Sequence, residues 1–254
     1  MTTTRAETWM TDGQLRLRDV PMILMYHGIA EVDEDPNHLC VTPARFAEQM
    51  SWLHRHGMRG VGIGTLVDAM RTGHHRGLVG LTFDDGYVNV LEAALPELKR
   101  HGFEATAYII SDRLGGTNEW DEGPAWPLMT ASQVLELAAA GIEIGSHAAT
   151  HMRLAGAEPA QLTAEVRDSK ANLAALLGAE IRGFAYPYGS MDATARRAVR
   201  DAGYEYACAV EASMAEMGLM ALPRLYVGQQ DDAMRMAAKR LLYRGRIALR
   251  GRRP

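Results

Sequence analysis

The sequence predicts an α/β fold built on a parallel sheet, and three observations carry that prediction. Short apolar runs alternate with helix-like segments along the whole chain. The runs are almost continuously apolar, as strands buried on both faces must be. Polar residues then gather where the runs stop: His27, Asp84 and Asp85, Ser146 and His147, and Pro187-Tyr188-Gly189. These features fit an α/β barrel or an open doubly wound sheet, and in both the chemistry sits beyond the carboxyl ends of the strands. With 254 residues, 47% hydrophobic and 23% charged, the chain can bury such a core as one domain. We expect a core over residues 20–230 and a basic C-terminal helix or tail over 231–254.

The strands expected from apolar runs are 22–26, 59–61, 79–83, 105–110, 142–145, 183–186, 204–209 and 225–227. The first helix has Thr42 as N-cap, Pro43 in its first turn, Gly57 as its stop, and Phe46, Met50 and Leu53 on one face. Helices follow at 65–71, 87–101, 130–140, 159–177 and 192–202, several closed by Gly73, Gly102, Gly141, Gly178 and Gly203. The segment 111–129 breaks the rhythm with three Gly, two Pro and two Trp. A long loop at a buried strand end commonly shapes a binding site, so Trp120 and Trp126 either stack on a sugar ring or cap the barrel mouth.

Thirty-one acids against 27 bases give a net charge of −4, which supplies no overall attraction to nucleic acid. Cys40 and Cys208 lie far apart without CxxC spacing, which predicts neither a disulfide framework nor a zinc ribbon and suits a reducing compartment. The N-terminus reads as neither a signal peptide nor a membrane span, which predicts a cytoplasmic protein. From Lys239 to Pro254 there are seven basic residues and no acid. Leu241, Leu242, Tyr243, Ile247, Ala248 and Leu249 alternate with Lys239, Arg240, Arg244, Arg246 and Arg250, a pattern that allows a peripheral anchor on an anionic membrane. A C-terminal helix packed on the barrel fits the same pattern.

Leu81-Thr82-Phe83-Asp84-Asp85-Gly86 places two carboxylates at a strand end, just before a glycine that can turn the chain. One of them could instead cap the helix expected at Tyr87. Ser146-His147-Ala148-Ala149-Thr150-His151 adds two imidazoles four positions apart at another strand end. One turn brings such a pair to one side, and two His with one Asp leave a position open for water, as catalytic metal sites do. Nitrogen-rich ligation favours zinc over magnesium, with cobalt or nickel as alternatives.

With these motifs the chain resembles the polysaccharide deacetylase family, carbohydrate esterase family 4. The resemblance runs from Met25-Tyr26-His27 to about Val227 and rests on Thr82 to Tyr87, Ser146 to His151, and Phe184-Ala185-Tyr186-Pro187-Tyr188-Gly189, in the family's order. It implies a distorted (β/α) barrel of seven or eight parallel strands, metal ligands at Asp85, His147 and His151, and a catalytic base at Asp84. The implied activity is metal-dependent hydrolysis of the N-acetyl amide of an amino sugar in an oligosaccharide, polysaccharide precursor or glycolipid. The backbone N–H of Tyr188 would help hold the oxyanion, with Tyr186, Pro187, Arg224, Trp120 and Trp126 around the substrate.

Two departures from the family pattern bear on this reading. Ala185 stands where many members have an arginine that orients the base, and no histidine follows His151 to act as the late general acid. Leu222-Pro223-Arg224-Leu225 and Met25-Tyr26-His27-Gly28 suit a subgroup resembling poly-N-acetylglucosamine deacetylases. His27 is then the candidate for the general acid or for an oxyanion donor, and Arg224 for orienting Asp84, unless it forms an ordinary surface ion pair. Two other functions remain open: a deformylase or other non-sugar amide hydrolase on the same site, or a catalytically impaired carbohydrate-binding domain.

Overall fold

The computed structural model of the protein describes residues 21–210 and 218–250, with side chains as far as Tyr243. The expectations placed on residues 1–20, on residues 251–254, and on the side chains of Arg244, Arg246, Ile247, Ala248, Leu249 and Arg250 lie outside the described residues. The chain runs through β1 (Ile23–Tyr26), β2 (Gly28–Ile29), β3 (Cys40–Val41), α1 (Pro43–Arg55), β4 (Arg59–Val61), α2 (Ile63–Thr72) and β5 (Leu78–Phe83). It continues through α3 (Leu95–His101), β6 (Thr106–Ile109), α4 (Ala131–Ala139), β7 (Glu143–Ser146), α5 (Pro159–Thr163), α6 (Ser169–Leu177) and β8 (Gly183–Ala185). The last elements are α7 (Ala193–Asp201), β9 (Tyr206–Ala209), β10 (Leu222–Pro223), β11 (Leu225–Tyr226) and α8 (Ala233–Arg250).

All the pairings of the main sheet are parallel, in the order β10-β9-β8-β7-β6-β5-β1-β11, with β4 beside β5. β4 pairs with the first half of β5, Leu78 to Gly80, while β6 pairs with Thr82 and Phe83, so β4 is wedged in at the amino-terminal end of the sheet. The two ends of the order belong to one stretch of chain. Leu222 pairs with Cys208 of β9, and three residues later Leu225 pairs with Leu24 of β1. That segment brings the sheet round into a nearly closed barrel, which is eight strands when the segment is counted once. The barrel expectation holds, and an open doubly wound sheet is excluded because its edge strands would not share a neighbour.

Packing follows the apolar runs. Tyr26, Phe46 and Phe83 are essentially fully buried, with ring centroids 5.3 to 5.8 Å apart. Such aromatic contacts add about 0.5–1.5 kcal/mol per pair to their area burial. Phe46 reaches this cluster because α1 begins as the sequence predicts: Thr42 accepts from the Arg45 N–H at 3.2 Å, Pro43 opens the helix, and Phe46, Met50 and Leu53 all face inward.

Two long expected helices contain a wide π turn each, at Val90–Ala94 and Ala164–Asp168. The first also starts later than its pattern suggests, because Tyr87 bridges to Leu128 and the Val88 N–H bonds to Pro127 O. The long loop therefore claims backbone that a helix would use. The ribbon β2–β3 and strand β10 were not legible as apolar runs, being two residues each.

Helix α8 packs on the barrel through Met236, which is buried, and through Tyr243, whose hydroxyl donates to Pro21 O at 3.0 Å. Pro21 precedes the start of β1, so this part of α8 lies at the end of the barrel opposite His27. Leu241 and Leu242 remain 72% and 63% exposed. No helix is long and apolar enough to cross a membrane among the described residues.

Candidate active site

The site forms where β1, β5, β7 and β8 end. The Asp84 N–H extends the ladder by donating to Tyr26 O at 3.0 Å, and the chain then turns through Asp85 and Gly86 at φ +71° and +78°. Neighbouring strand residues point to opposite faces. A left-handed Asp85 breaks that alternation at a cost of about 1–3 kcal/mol, and the two buried carboxylates face different partners, Arg224 for Asp84 and the two histidines for Asp85. Neither caps a helix, which corrects the capping alternative.

Asp84 is held by Arg224, whose Nη1 and Nη2 donate to its two oxygens at 2.6 and 2.7 Å. Nη1 also lies 3.2 Å from the Thr82 hydroxyl, and the guanidinium stands 5.6 Å from the Tyr108 ring centre. Arg224 is 4% exposed. It is therefore not a surface ion pair, and its guanidinium is occupied by Asp84 rather than turned to the rim. Burial opposes ionisation of Asp84, yet Arg224 and then His147 hold its carboxyl below the usual range. Such fork-to-fork pairs fix orientation as well as charge.

Asp85, His147 and His151 converge, with one ligand atom from each lying within 4.8 Å of the others. Asp85 Oδ1 is 3.4 Å from His147 Nε2 and 3.3 Å from His151 Nε2, but it is buried without a hydrogen bond. His147 Nδ1 lies 2.8 Å from Ala185 O, so it carries the proton and leaves Nε2 free to face the cluster. A buried carboxylate oxygen without a hydrogen bond, facing two imidazole nitrogens, is the donor set a divalent transition ion satisfies. These residues fit the implied metal.

The rim is aromatic. Trp120 and Tyr188 lie against His151 with ring centres 4.5 and 4.6 Å away, and the Arg153 guanidinium sits 4.2 Å over Tyr188. Trp126 packs edge-on against Tyr87 at 5.4 Å, whereas it is Trp120 that lies against His151. Pro187 opens the turn Pro187–Gly189, which sets Tyr188 at φ +56° and leaves its ring 41% exposed. The turn bonds run from Gly189 N to Tyr186 O and from Ser190 N to Pro187 O, and neither uses the Tyr188 N–H. Tyr186 itself is fully buried and donates to Met220 O at 2.9 Å. That corrects its expected place among the substrate contacts.

His27 ends β1 half-buried, and its Nδ1 is buried without a partner. It lies within electrostatic reach of Asp84 and Asp85. Asp121, on the long loop, was not singled out from sequence; burial and then Asp85 raise its carboxyl. Glu165 was also missed. It is buried and bonds the backbone between the two histidines, and nothing in its helical sequence context marks it.

The structure is thus a parallel barrel that carries, at its strand ends, an Asp-His-His cluster able to hold a cation and a buried, arginine-held carboxylate beside it. The chain belongs to the polysaccharide deacetylase family: the family model matches residues 72–207. YxkH of Bacillus subtilis strain 168, assigned by name to the polysaccharide deacetylases, is 30% identical over 209 residues, covering 81% of this chain and 70% of that protein. Among solved structures, the Streptococcus pyogenes deacetylase PplD in complex with acetate matches with TM-score 0.75 and 24% identity, over 86% of this chain and 97% of the other. IcaB from Ammonifex degensii matches with TM-score 0.73 and 25% identity, over 87% and 96%.

Proposed function

We propose that this protein hydrolyses the N-acetyl amide of an amino sugar in an oligosaccharide, polysaccharide precursor or glycolipid, using one divalent ion, zinc by preference, held by Asp85, His147 and His151. The observation that carries the reading is Asp84. A buried carboxylate gripped by Arg224 beside an Asp-His-His cluster has no use in a binding module, and it is what a base needs to stay ionised and aimed.

When bound, the ion supplies Lewis acidity, lowering the pKa of a water and polarising the acyl carbonyl. Asp84 accepts the proton of the attacking water, and Arg224 keeps both carboxylate oxygens in register while it does so. The Tyr188 N–H, presented by its left-handed turn, donates to the carbonyl oxygen as charge gathers there. His27 donates the proton that lets the sugar amine leave. Trp120 and Tyr188 give the sugar ring apolar faces to lie against.

Acetate release from N-acetylchitooligosaccharides by zinc-reconstituted protein tests the reading, with an N-formyl analogue run in parallel. Acetate at a rate that Asp84→Asn abolishes supports it. Turnover of the formyl substrate alone moves the assignment to a deformylase, and no turnover of either overturns it.

A cytoplasmic location for the whole chain, working as one domain, completes the proposal and is supported by Cys40 and Cys208, both buried and unpaired. Contact of the basic C-terminal region with anionic lipid is part of the same proposal. Because Tyr243 sits at the opposite end of the barrel from His27, such contact would tether the enzyme without pressing its mouth onto the bilayer. Salt-sensitive co-sedimentation with anionic vesicles, lost on truncation after Ala238, tests it.

A further inference from the structure

The two imidazoles of the site are separated by a loop whose conformation its own residues disfavour. Ala148 and His151 both sit in the left-handed region, at φ +66° and +72°. Side chains rarely adopt that conformation unless the surroundings impose it. Backbone bonds hold the outer edge of the loop: the Ser111 and Asp112 N–H groups donate to Ala148 O and Ala149 O at 3.2 and 3.0 Å.

The loop's own amide groups turn the other way, toward Glu165. Oε2 of Glu165 accepts from the Ala149 and Thr150 N–H groups, both at 2.9 Å, and Oε1 accepts from the Thr150 hydroxyl at 2.5 Å. Glu165 is 5% exposed. Its three bonds all go to the two residues that lie between Ala148 and His151. A buried acid that serves only packing is costly without a partner, and here its partners are backbone N–H groups of one ligand-bearing loop.

Glu165 itself is placed by the wide turn Ala164–Asp168 between α5 and α6. Such turns insert a residue into helical phase and recur at functional sites. This one buries Glu165 and Val166 in succession, and the Val166 carbonyl accepts from the Ser169 and Tyr204 hydroxyls at 3.1 Å each. Ser169 in turn accepts from the Ser146 hydroxyl at 2.9 Å, next to His147. One helical segment thereby bonds the strand end before His147 and the middle of the histidine loop.

We infer that Glu165 is the positioning residue of the cation site, its carboxylate setting the His147-to-His151 geometry by clamping the Ala149 and Thr150 amides. This inference rests on the reading of Asp85, His147 and His151 as cation ligands. Groups that orient metal ligands typically change affinity about 10- to 100-fold when lost.

The test is zinc affinity by competition with a chromogenic chelator, on full-length wild type, Glu165→Gln, Thr150→Val and Thr150→Ser. It is paired with the visible absorption of the cobalt-loaded proteins and thermal melting of the metal-free forms. We expect about 10-fold or greater weakening in Glu165→Gln with a changed cobalt spectrum, a smaller loss in Thr150→Val, and recovery in Thr150→Ser. Thr150→Val, which keeps the carboxylate, remains informative if Glu165→Gln does not fold. Wild-type affinity and spectrum in folded variants of both positions overturn the inference while leaving the ligand assignment standing. A wild type that binds no zinc overturns the ligand assignment and this inference together.

Discussion

Arg224 grips both oxygens of Asp84 at 2.6 and 2.7 Å across 140 positions of sequence. The pair meets because the segment that contains Arg224 completes the barrel, bonding β9 before it and β1 after it. The residue that holds the Asp84 carboxylate is thus delivered by the closure of the sheet.

Asp84→Asn is expected to keep zinc and fold while losing roughly 10²- to 10⁴-fold in turnover, because an amide keeps the shape and cannot take the proton. Arg224→Met should destabilise by about 3–5 kcal/mol in urea unfolding, since it strands a buried carboxylate. The double variant should recover much of that loss. A double variant no more stable than Arg224→Met would remove the charge argument.

His27→Ala should lower kcat more than it raises KM, because the proton is needed mainly in the transition state. Substrates with a better leaving amine should suffer less. Equal losses across leaving groups would assign His27 to packing at the end of β1.

Asp85→Ala, His147→Ala and His151→Ala should each lose stoichiometric zinc after reconstitution, measured by elemental analysis. Chelation of the wild type should abolish activity reversibly. Retention of one zinc per chain by any of the three variants would remove that residue from the ligand set.

The amino-terminal end of the barrel, opposite the site, carries an ion-pair cluster in which Arg182 and Glu205 immediately precede β8 and β9 and Asp68 lies on α2. Arg182 bonds Asp68 at 2.8 and 3.0 Å and Glu205 at 2.9 and 3.1 Å, and it holds both carboxyls below their ordinary values of 3.8 and 4.5. A depressed folded pKa means stability that is complete above the ordinary carboxylate range and lost as pH falls through the depressed values. Both acids are partly exposed, so the gain is no more than about 1 kcal/mol and is screened by salt. Arg182→Met should therefore be less stable than wild type at pH 6, with the gap closing below about pH 4. Parallel stability curves over that range would contradict the linkage.

Burial pushes the Cys40 thiol up to about 12 and the Cys208 thiol up to about 11. Since the thiolate is the reactive form, neither should alkylate with iodoacetamide in the native protein at pH 8, and both should react in denaturant. Rapid native labelling of either would show that its surroundings open.

Strand and helix spacing was legible because it is local. Apolar runs such as Leu81 to Phe83 and caps such as Thr42 act through near neighbours, and their elements appear within a few residues of expectation. The residues of the Asp-His-His cluster were legible for the same reason, since Asp84-Asp85 and His147 to His151 are short motifs at strand ends. Tyr186 was misread because a motif shows which residues cluster and not which face each side chain takes. Its hydroxyl turns inward to Met220.

The amino-acid sequence by itself determined the parallel α/β class and the short motifs at strand ends that supply the paired aspartates and the two histidines. The tertiary structure alone decided that the sheet closes through Leu222 to Tyr226, that Arg224 is buried against Asp84, and that Glu165 bonds the histidine loop. The physical reason is range. Periodicity, capping and turn chemistry are written in residues a few positions apart, whereas a buried charge finds its partner only after packing has set which distant backbones share a wall.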